Sequence, residues 1–215
     1  NRRVVNPGSG APVGPVRAAW ALGAALYPLA AFLLAWLLVG GPVRGPLAAA
    51  LRGDGLAPLW TLVLLWSFNL MFGGSLGEEL GGRGFALPRL LERHGPSTAI
   101  WLLTVAWALW HAPIDLTYGF GLQGPGALVV RLLWTWPVTV IFTFFFLRAR
   151  GSLLAPLALH TSFNVLSDIG AAAFEPAIQV LAVVNVAVAV PLSLRMERPP
   201  YWPRGASTWR RDGPG

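Results

Sequence analysis

Six stretches of this 215-residue chain are apolar for long enough, or nearly long enough, to cross a bilayer. A spanning helix needs about 20 mostly apolar residues. Such runs lie at Ala18–Gly40, Pro58–Gly77, Ser97–Ile114, Ala127–Leu147, Ser152–Leu166 and Ala177–Leu194. They predict an all-α fold, a polytopic transmembrane helix bundle of about six spans. The fifth stretch is the shortest and carries His160 and Asn164. Composition agrees: 55% of residues are hydrophobic and only 12% charged, against roughly 25% charged in a soluble globular domain. No internal repeat is evident. Residues 15–196 read as one membrane domain, and the Gly-, Pro- and Arg-rich segments 1–14 and 197–215 read as disordered tails. The first apolar stretch is long enough to stay in the bilayer, so it reads as a span rather than a cleaved leader.

The basic residues orient this layout. All of them are arginine, and the net charge is +7. They are scattered at helix ends rather than gathered into a stripe, which points to membrane orientation and away from nucleic acid. With the N-terminus in the cytoplasm, Arg2, Arg3 and Arg17 lie inside. Arg83, Arg89 and Arg93 follow in one inside loop and Arg148 and Arg150 in the next. The C-terminal segment adds Arg195, Arg198, Arg204, Arg210 and Arg211, leaving Arg44, Arg52 and Arg131 outside. Both termini are therefore expected in the cytoplasm. The lysine-free, Ala-, Gly-, Pro- and Leu-rich composition points to a GC-rich bacterial genome, and so to a bacterial plasma membrane. With no cysteine, disulfides, a thiolate nucleophile and Cys-ligated zinc are all excluded.

Polar side chains within these spans are the exception that needs a reason, because charge inside a membrane costs several kcal/mol and marks function by default. Three clusters qualify: Gly77-Glu78-Glu79-Leu80-Gly81-Gly82-Arg83, Trp107-Ala108-Leu109-Trp110-His111, and His160-Thr161-Ser162-Phe163-Asn164. Glu79 and Arg83 are four apart, stack on one helix face and can pair. Glu78 is turned about 100° from them. His160 and Asn164 are also four apart and project from one face. Trp107 precedes His111 by one turn and can wall a site. Each cluster also has a plain reading: a structural ion pair, a solvated loop glutamate, a helix-capping histidine before Pro113, or polar glue between helices. Asp115, Asp168 and Glu175 fall near outer helix ends and read as solvated.

Depth tests whether the clusters can meet. Measured at 1.5 Å per residue from the inner surface, Glu78 and His111 each lie roughly 22 Å deep, and His160 and Asn164 roughly 15 and 21 Å. A straight helix over residues 59–93 would be roughly 51 Å long, beyond any bilayer. A break or tilt is therefore required, with Gly73-Gly74, Gly81-Gly82 and Pro88 as its candidates.

In this order and setting, Glu-Glu-x-x-x-Arg, aromatic-x-x-x-His and His-x-x-x-Asn resemble the motifs of the CPBP intramembrane proteases. That group includes the type II CAAX prenyl endopeptidases and the bacteriocin-processing and self-immunity proteins. The resemblance covers roughly residues 60–195. One departure is Trp107, where the family usually has Phe. The resemblance implies an intramembrane endopeptidase acting on a peptide or membrane-protein substrate within the lipid bilayer, with no organic cofactor. It makes Glu78 the base that activates water, with His111 assisting. His160 and Asn164 would stabilise the oxyanion, while Glu79 and Arg83 hold the motif in place. Hydrolysis without Ser or Cys needs such a base and such donors. The same resemblance leaves metal open. Glu78, His111 and His160 make up a His₂Glu set of the kind that binds catalytic Zn²⁺, but there is no paired His-x-x-x-His on one helix. The alternatives are a non-catalytic membrane protein for immunity or partner binding, and a small proton-coupled transporter. A transporter more often shows an internal repeat.

Overall fold

Helices account for nearly all of the residues that the computed structural model describes, which are 14–39, 57–118, 125–171 and 175–197; among them there is no strand. In chain order they are α1 (Pro15–Val39), α2 (Ala57–Met71) and α3 (Ser75–Glu79). A π-helical segment (Leu80–Ala86) leads into α4 (Leu87–Arg93) and α5 (Pro96–Tyr118). The remainder are α6 (Pro125–Arg148), α7 (Leu154–Ala171) and α8 (Glu175–Met196). A helix satisfies its own backbone hydrogen bonds, which is what hydrocarbon demands. The chain is an all-α integral membrane protein.

Among the described residues three helices are long and apolar enough to span: α1, α5 as far as Thr117, and α6. A fourth span results if α2 and the helical run Ser75–Arg93 count as one, their two halves meeting at a 48° bend. Of the six stretches expected, the last two form helices that fall short of that criterion. α7 is 18 residues long and carries His160, Ser162 and Asn164 along it. The apolar part of α8 among the described residues is Val180–Met196. The expected tails, residues 1–14 and 197–215, lie outside the described residues except for Gly14 and Glu197, and so do Arg44 and Arg52.

The break needed to fit α2–α4 into a bilayer falls at Gly73-Gly74, the first of the three expected places. The other two act differently. Gly81, Gly82 and Gly84 lie in the π-helical segment, and Pro88 lies in the first turn of α4. Proline has no N–H to offer the carbonyl four residues back and its ring crowds that carbonyl, so a wider turn before Pro88 relieves both problems.

The described helices form two compact units. One holds α1, α2, α3, α7 and the part of α8 up to Asn185. There α1 buries a stripe of small or flat residues, Ala24, Pro28, Ala31 and Ala35, and packs along α7. Small residues let helix backbones approach closely where no hydrophobic effect drives association. On the other side of α1, Leu22, Leu26, Leu33 and Leu37 are exposed, as a lipid-facing surface requires. Tyr27 of α1 donates a hydrogen bond to Asn185 Oδ1 at 2.7 Å and its ring lies 6.1 Å from that of Phe163 on α7. Ala31 and Ala35 cluster with Leu181 and Val184 of α8.

The second unit holds residues 81–144 and the rest of α8. α4 doubles back onto α5 through His94-Gly95, with Leu87 and Leu91 buried. The N-terminus of α5 leaves backbone N–H groups without helical partners, and Glu197 takes one of them, accepting from Ser97 N–H at 2.6 Å. Asp115 corrects the sequence reading. It is not solvated but only 3% exposed, and Arg131 of α6 grips it with two guanidinium nitrogens, Nε to Oδ2 at 2.6 Å. Helical spacing alone does not reveal a partner 16 residues away on another helix.

Removing one member of a buried ion pair strands the other charge, whereas replacing both with apolar groups is far milder. Asp115→Leu is therefore expected to destabilise the protein by about 3 kcal/mol. The double variant Asp115→Leu/Arg131→Leu should recover most of that loss, measured by unfolding in detergent. A double variant as unstable as the single one would contradict the pairing.

Candidate active site

The first unit builds a candidate site around the end of α2. The helix stops because Gly74 takes φ 86°, a left-handed conformation that glycine adopts without penalty. Gly73 is packed so tightly that a Cβ there would lie 2.6 Å from Asn69 Oδ1 and 2.9 Å from Asn69 O. α3 then restarts at Ser75, its fourth residue Glu78 returning its N–H to Gly74 O at 2.9 Å. A break in an apolar setting leaves carbonyls that must find donors. Asn164 of α7 supplies one: its Nδ2 donates to Gly73 O at 2.9 Å and to Ser75 Oγ at 3.3 Å.

One turn along the same face of α7 stands His160. Its Nδ1 lies 2.8 Å from Glu79 Oε1, with Glu79 fully buried and the His160 side chain 8% exposed. An ionised carboxylate can only accept, so Nδ1 carries the proton. That bond fixes the ring and turns Nε2 toward Glu78, whose Oε2 is 4.0 Å away. At this separation the two are beyond direct hydrogen bonding, but a single oxygen can sit about 2.8 Å from both. Glu78 keeps 20% of its side chain exposed. Two neighbouring glutamates thus differ in surroundings: Glu79 is sealed against the imidazole and Glu78 is accessible. Nearby, Trp66 Nε1 donates to Ser162 Oγ at 3.3 Å and ties α2 to α7.

The second unit holds the other expected site residues, Arg83 and His111. Arg83 is 1% exposed, and its guanidinium carbon lies 4.4 Å from the Trp107 ring centroid and 4.5 Å from that of Phe142. Weakly hydrated and planar, a guanidinium is the cation best suited to such a slot. His111 Nδ1 lies 2.9 Å from the Trp107 carbonyl, which accepts and so places the proton on Nδ1 of this ring also. The Trp107 and His111 rings meet edge to face at 6.2 Å. Trp107, expected to wall a site, holds Arg83 with its face and His111 with its backbone.

The structure therefore brings Glu78, Glu79, His160 and Asn164 together in one unit, and Arg83 beside Trp107 in the other. Helical spacing offered Arg83 as a partner for Glu79, but it could not show that Glu79 Oε1 bonds His160. The parts played by Gly73, Ser75 and Phe142 were missed. The Gly-Gly pair was a usable signal; Phe142, one of many apolar residues in α6, offered none.

The donor set can be tested against a zinc ion. Tetrahedral zinc with nitrogen and oxygen at about 2.0–2.2 Å separates its donors by about 3.4 Å. His160 Nε2 and Glu78 Oε2 are 4.0 Å apart, and among the described residues no group of three His, Asp or Glu side chains is arranged to hold a metal. As placed, these residues do not fit that ion.

A helical membrane protein that buries a carboxylate–imidazole pair beside a second, accessible carboxylate has the parts of an intramembrane hydrolase. Comparison with known families agrees. Residues 58–166 match the model for type II CAAX prenyl endopeptidase Rce1-like proteins, a segment containing all six expected site residues. The chain belongs to that family and is an intramembrane protease of the CAAX type. Neither curated proteins nor solved structures give a match.

The Arg83 slot makes a prediction. Trp107→Phe keeps an aromatic face and should leave stability within about 1 kcal/mol, while Trp107→Leu should lose about 2 kcal/mol or more. Thermal unfolding in detergent measures both. Equal behaviour of the two variants would show that the aromatic face contributes nothing.

Proposed function

We propose that the chain hydrolyses a peptide bond with a water activated by Glu78, the oxyanion being received by His160. The observation that carries this reading is the Glu79–His160–Glu78 arrangement. A buried carboxylate orients the imidazole through Nδ1, and Nε2 faces the second carboxylate at 4.0 Å.

In this mechanism Glu78 takes a proton from water, and the hydroxide attacks the scissile carbonyl carbon. The carbonyl π electrons move to oxygen, whose charge is met by a proton on His160 Nε2. Glu79 supports the doubly protonated ring that this donation requires. Collapse of the tetrahedral intermediate breaks the C–N bond, and Glu78 returns its proton to the departing amine. Asn164 can add a second donor by giving up its longer contact to Ser75 Oγ while keeping Gly73 O. The family pattern adds His111, whose Nε2 bears a lone pair in the tautomer fixed by Trp107.

Glu78→Gln keeps size and polarity but cannot take a proton. In detergent or liposomes, with a peptide library whose cleavage is mapped by mass spectrometry, it should fold normally and lose roughly 10²–10⁴-fold in turnover. Cleavage at the wild-type rate would remove the hydrolase reading and leave partner binding or transport. A zinc chelator should leave turnover unchanged if Glu78 alone activates water. Loss on chelation with recovery on adding Zn²⁺ would instead favour a metal-assisted reaction.

A further inference from the structure

Glu78 is not placed by its own helix alone. The Cβ that any residue other than glycine would add at position 74 would lie 2.8 Å from Glu78 Oε1 and 3.6 Å from its Cδ. Real Cβ atoms do not come so near an oxygen, so the carboxylate occupies room that exists only because Gly74 has no side chain. The same residue holds φ 86° and accepts the Glu78 N–H. One turn of chain thus folds the carboxylate back over the break, and the preceding carbonyl is pinned by Asn164 to the helix that carries His160. By contrast, a Cβ at Gly77, in the same short helix, meets nothing within 4 Å.

We infer that Gly74 is a positioning residue for the Glu78 carboxylate: its missing side chain sets the gap between Glu78 and His160. The inference rests on Glu78 being the base. The colliding atom at position 74 is the far end of a flexible side chain, so a substitution displaces the carboxylate more readily than it unfolds the helix. The effect belongs to the chemical step and not to substrate binding.

The test uses the full chain in liposomes with a peptide that the library shows to be cleaved. Gly74→Ala should lower kcat by roughly 10²-fold, the scale of an ångström-sized misplacement. KM should stay within about two-fold, because an interaction made in the transition state is what is lost. Gly74→Asn adds a Cβ but suits the left-handed conformation better, so it separates displacement from backbone strain. It should show the same fall in kcat with less loss of Tm. Gly77→Ala should match wild type. Recovery of kcat in Gly74→Asn would assign the effect to strain and overturn the inference, as would failure of both position-74 variants to fold. Glu78→Gln runs alongside. If it is inactive while Gly74→Ala is fully active, only the positioning role falls; if it is active, the hydrolase reading itself falls.

Discussion

A fully buried carboxylate in a membrane protein is tolerable only when something nearby compensates for its lost hydration, and at Glu79 the imidazole of His160 takes that part. The bond between them does two further things. It joins the short helix after the break to α7, and it holds a proton on His160 Nδ1 so that Nε2 faces Glu78. The catalytic geometry proposed here follows from both. Without Glu79, His160 would lose the acceptor that orients its ring; without His160, Glu79 would lose a donor 2.8 Å away.

The second requirement is a backbone that can carry Glu78 and Glu79 to this point. A continuous helix from α2 through α4 is too long for the bilayer, so the chain bends by 48° at Gly73-Gly74. Breaking a helix in an apolar environment exposes carbonyls, and the price is met by Asn164, which donates to the break from the same helix face as His160. Polar residues that look costly in a span are therefore each assigned to an atom: His160 to Glu79, Asn164 to Gly73, Arg83 to two aromatic rings, Asp115 to Arg131. Hydrocarbon enforces this pairing more strictly than water would.

Much of this was legible in the sequence because membranes constrain it so tightly. Long apolar runs give helices, and polar residues within them stand out. The order of Glu-Glu-x-x-x-Arg, aromatic-x-x-x-His and His-x-x-x-Asn pointed to the family that residues 58–166 match. Excess helix length demanded a break, and Gly73-Gly74 was among its candidates. Long-range pairing was not legible. Spacing of four suggested Glu79 with Arg83, but it says nothing of the bond from Glu79 Oε1 to His160, 81 residues away, or of the Trp107 and Phe142 rings against the Arg83 guanidinium. Position at a helix end suggested a solvated Asp115, but its partner on α6 buries it. The fifth stretch is helical as expected, but the polar residues that make α7 interesting also make it less apolar than a simple span.

The state of the His160 ring is the most direct measure of the central claim. Histidine-selective ¹⁵N labelling of the protein in bilayers, with His160→Gln used to assign the signal, reports which ring nitrogen bears hydrogen. A protonated Nδ1 in the wild type, lost or weakened in Glu79→Gln, is the result that this account predicts. A bare, pyridine-type Nδ1 at His160 in the active protein would contradict it.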